Sequence, residues 1–151
     1  MSSRSEAVNV PVWKIARNVA KPSMSFGDSE MAAARLGAAR VCAIDRDTDA
    51  LAAAADSLQR NALTQRVELR QADISTDVLG EFDVVAANLE AVQIHAWAAA
   101  LMRHVRPDGQ LLLSGFLAAE HDLVARVLPQ PARLVEYEDG WAAAVVTRPS
   151  G

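Results

Sequence analysis

The feature that most constrains this chain is a short apolar run that ends in an acidic turn and opens a helix. It is clearest at Val41-Cys-Ala-Ile-Asp-Arg-Asp-Thr-Asp-Ala-Leu51. Val41 to Ile44 is apolar, and acid follows at Asp45, Asp47 and Asp49. Leu51, Ala54, Ala55, Leu58 and Ala62 then fall at helical spacing, with Arg60 and Asn61 on the other side. Asp47 or Thr48 can cap this helix, because a side-chain oxygen there accepts a free first-turn amide. The unit is strand, turn, helix. In open α/β sheets such a turn lies at the carboxyl edge, where ligands bind. An acid ending the strand can accept two ribose hydroxyls; it can equally be a solvated turn residue favoured by the helix dipole.

The same grammar repeats downstream. Arg66-Val-Glu-Leu-Arg70 alternates like a strand and ends in a second acidic turn, Gln71-Ala-Asp-Ile74. Phe82 to Asn88 is a near-continuous apolar run, as expected of a strand buried on both faces. Ile94, Trp97, Ala98, Leu101 and Val105 mark one helical face. Arg106-Pro-Asp-Gly109 reads as a turn, and Gln110 to Ser114 as another buried strand. Leu123, Val124, Val127 and Leu128 mark a further helix. Leu134 to Tyr137 and Trp141 to Thr147 flank Glu138-Asp-Gly140, a hairpin signal. Alternating strands and helices predict a three-layer, Rossmann-like α/β fold, its sheet mostly parallel and closed by an antiparallel hairpin. The 151 residues suit a single domain over 1–151.

Residues 1–27 break the pattern and read as an atypical start. Val8, Val10 and Val12 alternate in phase before Trp13, although Pro11 weakens a strand there. Lys14 to Lys21 suits a short helix stopped by Pro22, and residues 22–28 a loop. Val8–Trp13 is the alternating apolar segment upstream of Ser29, so it is the expected supplier of any strand that fills the sheet from this end, which leaves residues 21–28 as a mobile loop over the crease at the sheet's carboxyl edge.

Charge and composition narrow the function classes. A net charge of -4 with scattered basic residues gives no phosphate-tracking surface, so no nucleic-acid partner is expected. One cysteine, Cys42, excludes an internal disulfide and a cysteine metal cluster; within an apolar strand it reads as a small buried filler. His95, His104 and His121 have no ligand spacing and read as surface residues, so no metal site is expected. Trp97 and Trp141 read as core or rim packing, and the Ala-rich face of 50–55 as close helix–sheet packing. No apolar run is long enough to span a bilayer and the N-terminus lacks a signal-peptide core, so a cytoplasmic protein without membrane contact is expected.

The order of elements resembles the class I S-adenosylmethionine-dependent methyltransferases. At residue level, Ala32-Ala-Ala-Arg-Leu-Gly-Ala38, Ala43-Ile-Asp-Arg-Asp47, Phe82 to Leu89, Arg106-Pro-Asp-Gly109, Leu111-Leu-Leu-Ser-Gly115 and Asp139-Gly-Trp141 are similar to the PrmA family, which methylates ribosomal protein L-eleven. The resemblance implies S-adenosylmethionine as cofactor and methylation of a protein or small-molecule amine. It places Asp45, with Arg46, at the ribose and Asp73, with Ile74, beside the adenine. It puts Asn88 where a carboxamide accepts from the target amine and aims its lone pair at the transferred methyl. Asp73 and Asn88 also have plain readings, as a turn residue and as the end of a strand. Leu89 and Glu90 would line the same rim.

Two departures accompany the resemblance. Counted back without gaps from Leu36-Gly37, the family's strand-ending acid falls on Lys21 and its first two loop glycines on Ser23 and Ser25; only Gly27 matches the third. The family also carries a separate N-terminal recognition domain, for which 151 residues leave no length, so intact ribosomal protein is expected to be a poor acceptor. The loop departure keeps a second function open: a non-catalytic relative that serves as a binding partner or homo-oligomer. A nicotinamide dehydrogenase is a more distant alternative, because it too needs the glycine loop.

Overall fold

A computed structural model describes residues 12–16, 38, 40–136 and 138–151. Seven strands form one sheet: β1 (Val12–Ala16), β2 (Val41–Asp45), β3 (Val67–Gln71), β4 (Phe82–Asn88), β5 (Val105–Leu117), β6 (Arg133–Glu136) and β7 (Trp141–Thr147). Their order across the sheet is β3-β2-β1-β4-β5-β7-β6. All pairings from β3 to β5 are parallel, and β7 runs antiparallel to both its neighbours, β5 and β6. Three α-helices are described: α1 (Thr48–Arg60), α2 (Ala91–Met102) and the short α3 (His121–Ala125).

Alternation along β2 explains the layers. Side chains along a strand point to opposite faces. Cys42 and Ile44 join the larger core with Ile94 and Leu101 of α2. Val41 and Ala43 join a smaller core with Leu58 of α1 and Val67 of β3. Every residue of β2 is buried, so helices on both faces keep water from it. Truncating a fully buried leucine such as Leu58 or Leu101 costs about 2–5 kcal/mol through lost transfer energy and the cavity left behind.

The central slot is filled, as a parallel sheet requires. The register differs from the expectation: β1 is Val12–Ala16, not Val8–Trp13, so only Val12 and Trp13 are shared. Lys14 to Ala16 are strand rather than helix. Pro11 lies outside the described residues, before the bounds of this strand. Lys14 stands opposite Ala43 on one side and Ala86 on the other. The proposed loop over residues 21–28 lies outside the described residues.

Other expectations change in detail. Ala55 and Ala62 are exposed and of 50–55 only Ala54 is buried, so α1 packs through a narrow stripe of Ala54 and Leu58. Val105 begins β5 instead of closing a helical face. The Arg106–Gly109 turn lies inside the span of β5. Phe82 faces Val105 and Val84 faces Gln110, so residues 106–109 swing out opposite Asp83 alone. The last helix ends at Ala125, short of Val127 and Leu128. The closing hairpin turns at Asp139 and Gly140, with φ of 60 and 75. This is the sign pattern that makes Asp-Gly a favoured hairpin turn. Among the described residues no helix is long and apolar enough to cross a membrane.

Candidate functional site

The sheet order reverses at β1, which lies between β2 and β4. A crevice outside the carboxyl ends of the strands is expected at that switch point. The candidate residues are ranged along this edge: Asp45 ends β2, Asp73 follows β3 by two residues, and Asn88 ends β4. Asn88 stands in register with Ala16 of β1 and Ser114 of β5. Asp45 and Asn88 are two strand spacings apart, roughly 10 Å across the sheet.

Asp45 is only 6% exposed. Its Oδ1 accepts the Asp47 amide at 2.8 Å, which holds the carboxylate at the strand end. The backbone carbonyl of Asp45 accepts from Ala72 at 3.1 Å, tying the first acidic turn to the second. Asp47 caps α1, its Oδ1 accepting from the Asp49 amide at 2.9 Å. A carboxylate only accepts hydrogen bonds. The two hydroxyls of a ribose are therefore fitting donors for this group.

Arg46 is exposed, and its Nε lies 3.5 Å from Asp73 Oδ2. Gln71 Nε2 donates to the Arg46 carbonyl at 3.3 Å. Asp73 Oδ1 accepts from the Ser75 amide at 2.9 Å and the Ser75 hydroxyl at 2.5 Å. The Asp73 amide in turn donates to Asp77 Oδ2 at 2.8 Å. Asp73 thus organises its own turn and also faces Arg46. Ile74 is buried in the main core beneath it. Arg103, just past α2, donates from Nη2 to the carbonyls of Ile74 at 3.2 Å and Ser75 at 3.4 Å. This clamp on the second acidic turn joins residues far apart in sequence and has no local signature.

Asn88 is half-buried, and among the described residues no group hydrogen-bonds its carboxamide. Glu90 is exposed and its amide donates to Gln93 Oε1 at 3.2 Å, which closes the start of α2. Leu89 does not line the rim: it is fully buried in the main core, while its amide donates to the Ser114 carbonyl at 2.8 Å. Gly27 lies outside the described residues.

Sequence reasoning assigned no role to Gly115. A β-carbon there would lie 2.3 Å from Asn88 Oδ1. Its available signal was a glycine directly after a buried strand run, a usual mark of a bulge or close backbone approach. His104 is buried, not a surface residue. Its Nδ1 lies 2.7 Å from the Ala100 carbonyl, which makes Nδ1 the protonated nitrogen. Burial, reinforced by the Arg103 charge, lowers its pKa. Cys42 is buried, and burial pushes its thiol up to about 11, so it is inert filler in β2. Trp97 packs half-buried against the main core.

Known proteins bear on this arrangement. The sequence model of the family described as "Ribosomal protein L11 methyltransferase (PrmA)" matches residues 30–149. A ribosomal protein L11 methyltransferase of Dechloromonas aromatica (strain RCB) is 36% identical over 121 residues, which cover 79% of this chain and 40% of that protein. One of Methylococcus capsulatus (strain ATCC 33009 / NCIMB 11132 / Bath) is 38% identical over 116 residues, 74% of this chain and 38% of that protein. The chain thus spans well under half the length of these curated relatives. Among solved structures, a ribosomal protein L11 methylase from Lactobacillus delbrueckii subsp. bulgaricus superposes with a TM-score of 0.79 at 23% identity, over 96% of this chain and 73% of that one. An RNA methyltransferase from Salinibacter ruber, solved with S-adenosyl-L-homocysteine, superposes with a TM-score of 0.73 at 21% identity, over 94% of this chain and 82% of that one. At these identities the two structures speak for the fold, a methyltransferase-type Rossmann-like sheet. With the match over residues 30–149 and these curated relatives, the chain belongs to the ribosomal protein L11 methyltransferase (PrmA) family.

Proposed function

We propose that the chain binds S-adenosylmethionine across the carboxyl ends of β2, β3 and β4 and directs methyl transfer to an amine of a protein acceptor. One observation carries this reading: in a chain of this family, Asp45, Asp73 and Asn88 are ranged along one sheet edge beside the switch point. Asp45 accepts the ribose hydroxyls, with Arg46 covering the turn. Asp73 and Ile74 take the adenine side, and Gly27 keeps the cofactor-binding role that its match to the family's third loop glycine implies. Asn88 accepts from the acceptor amine and aims its lone pair; alignment, rather than a dedicated base, is what such a transfer requires. The cofactor supplies an electrophilic methyl on a sulfonium, and its passage to nitrogen leaves a thioether and a cationic amine that gives one proton to water. The relatives' printed name supports a protein as acceptor.

Calorimetric titration with S-adenosylhomocysteine tests the reading. The chain should bind it, and Asp45→Ala should weaken binding at least tenfold with the fold intact. A charge-assisted contact to both hydroxyls is worth about 1.5–3 kcal/mol. Unchanged affinity in that variant removes Asp45 from the site. No binding by the folded wild-type chain would leave a non-catalytic relative.

A further inference from the structure

The sheet makes one irregular step beside Asn88. Ser114 pairs with Ala143 and Phe116 with Ala142, so Gly115 is an extra residue on β5. Its φ is +94, a region that side chains rarely adopt. Bulges of this kind re-aim a strand and are common next to active sites. Here the bulge presses the bare α-carbon against the peptide that leaves β4. An added β-carbon would lie 2.3 Å from Asn88 Oδ1, 2.8 Å from the Leu89 carbonyl oxygen and 3.0 Å from the Leu89 nitrogen. The hydrogen bond from the Leu89 amide to the Ser114 carbonyl, 2.8 Å long, keeps the two segments together. No described group hydrogen-bonds the Asn88 carboxamide, and its oxygen rests in the space that a β-carbon at position 115 would occupy.

We infer that Gly115 is a positioning residue: its bare α-carbon at the β5 bulge sets the place of the Asn88 carboxamide at the mouth of the crevice. This rests on the reading of Asn88 as the group that faces the transferred methyl. Any side chain at position 115 pushes the carboxamide outward or forces the β4–α2 connection off β5. The conformation and the contact both demand glycine, but only the contact bears on the site.

The test compares wild type, Gly115→Ala, Asn88→Ala and the double variant. The Asn88 side-chain amide pair in a ¹H–¹⁵N spectrum is assigned by its loss in Asn88→Ala. Gly115→Ala should shift that pair, while amides of the distant β6–β7 hairpin stay in place. S-adenosylhomocysteine affinity should fall severalfold in either single variant and no further in the double variant. An unmoved Asn88 amide pair in folded Gly115→Ala overturns the inference, as do affinity losses that multiply in full. Asn88→Ala with wild-type affinity, beside a shifted pair in Gly115→Ala, instead overturns the role of Asn88 and leaves the contact standing. Should Gly115→Ala not fold, the wild-type spectrum decides. An ordered carboxamide with cross-peaks to the Gly115 α-protons supports the contact, and a freely rotating one without them overturns it.

Discussion

His104 shows how one side chain can couple this fold to pH. Its ring is buried and its pKa is lowered, first by desolvation and then by the charge of Arg103. The sign follows from linkage. A histidine whose folded pKa is depressed binds a proton more readily in the unfolded chain. Its contribution is fully present above the ordinary value of about 6.5 and is lost as pH falls from there toward the folded value. Wild-type protein should therefore lose more urea resistance between neutral and mildly acidic pH than His104→Gln does. Parallel slopes for the two proteins would show that His104 does not titrate during unfolding. Asp45 is the other informative residue at this scale. Its burial and its bond from the Asp47 amide, 2.8 Å long, agree with a strand-end acid read from the local pattern alone.

Among the elements, β5 departs most from regularity. It carries two interruptions, the excursion at residues 106–109 and the bulge at Gly115. The first is pinned from the far end of β7. The Asp108 amide donates to the Arg148 carbonyl at 3.0 Å, and the Arg148 amide donates to the Gly109 carbonyl at 2.9 Å. Arg106 Nη1 also meets Asp83 Oδ1 at 2.6 Å. A β-carbon on Gly109 would lie 2.8 Å from the Asp83 carbonyl oxygen and 2.9 Å from that of Arg106, atoms of the backbone that cannot swing aside. Gly109→Ala should thus destabilise the fold by about 1–3 kcal/mol through overpacking, seen as a lower urea midpoint with an unchanged slope. A wild-type midpoint would mean that the excursion is soft enough to absorb a methyl group.

At the scale of the whole molecule, the sheet is held by a five-residue strand between two others. β1 pairs with both β2 and β4, so each of its interior amides serves a ladder. Proline at Lys14 removes such a donor in the middle of the sheet and exposes buried partners, each costing about 1–3 kcal/mol. β6 lies at the sheet's edge. Lys14→Pro should abolish cooperative urea unfolding, or move its midpoint far more than Arg133→Pro at the start of β6. Equal effects would deny β1 its central place.

The sequence by itself determined the elements whose signals are local. β4 and β7 run as their apolar patterns indicated, Phe82–Asn88 and Trp141–Thr147, and Asp47 caps α1 because capping involves only neighbouring residues. The positions of Asp45, Asp73 and Asn88 along one edge followed from the strand–helix alternation. Tertiary structure alone decided the register of β1, because Val8–Trp13 and Val12–Ala16 both contain apolar residues and only pairing with β2 and β4 selects between them. It alone buried His104 and Leu89, whose surroundings come from elements distant in the chain. It alone brought Gly115 of β5 against Asn88 of β4, a contact between neighbouring strands that no spacing along the chain encodes.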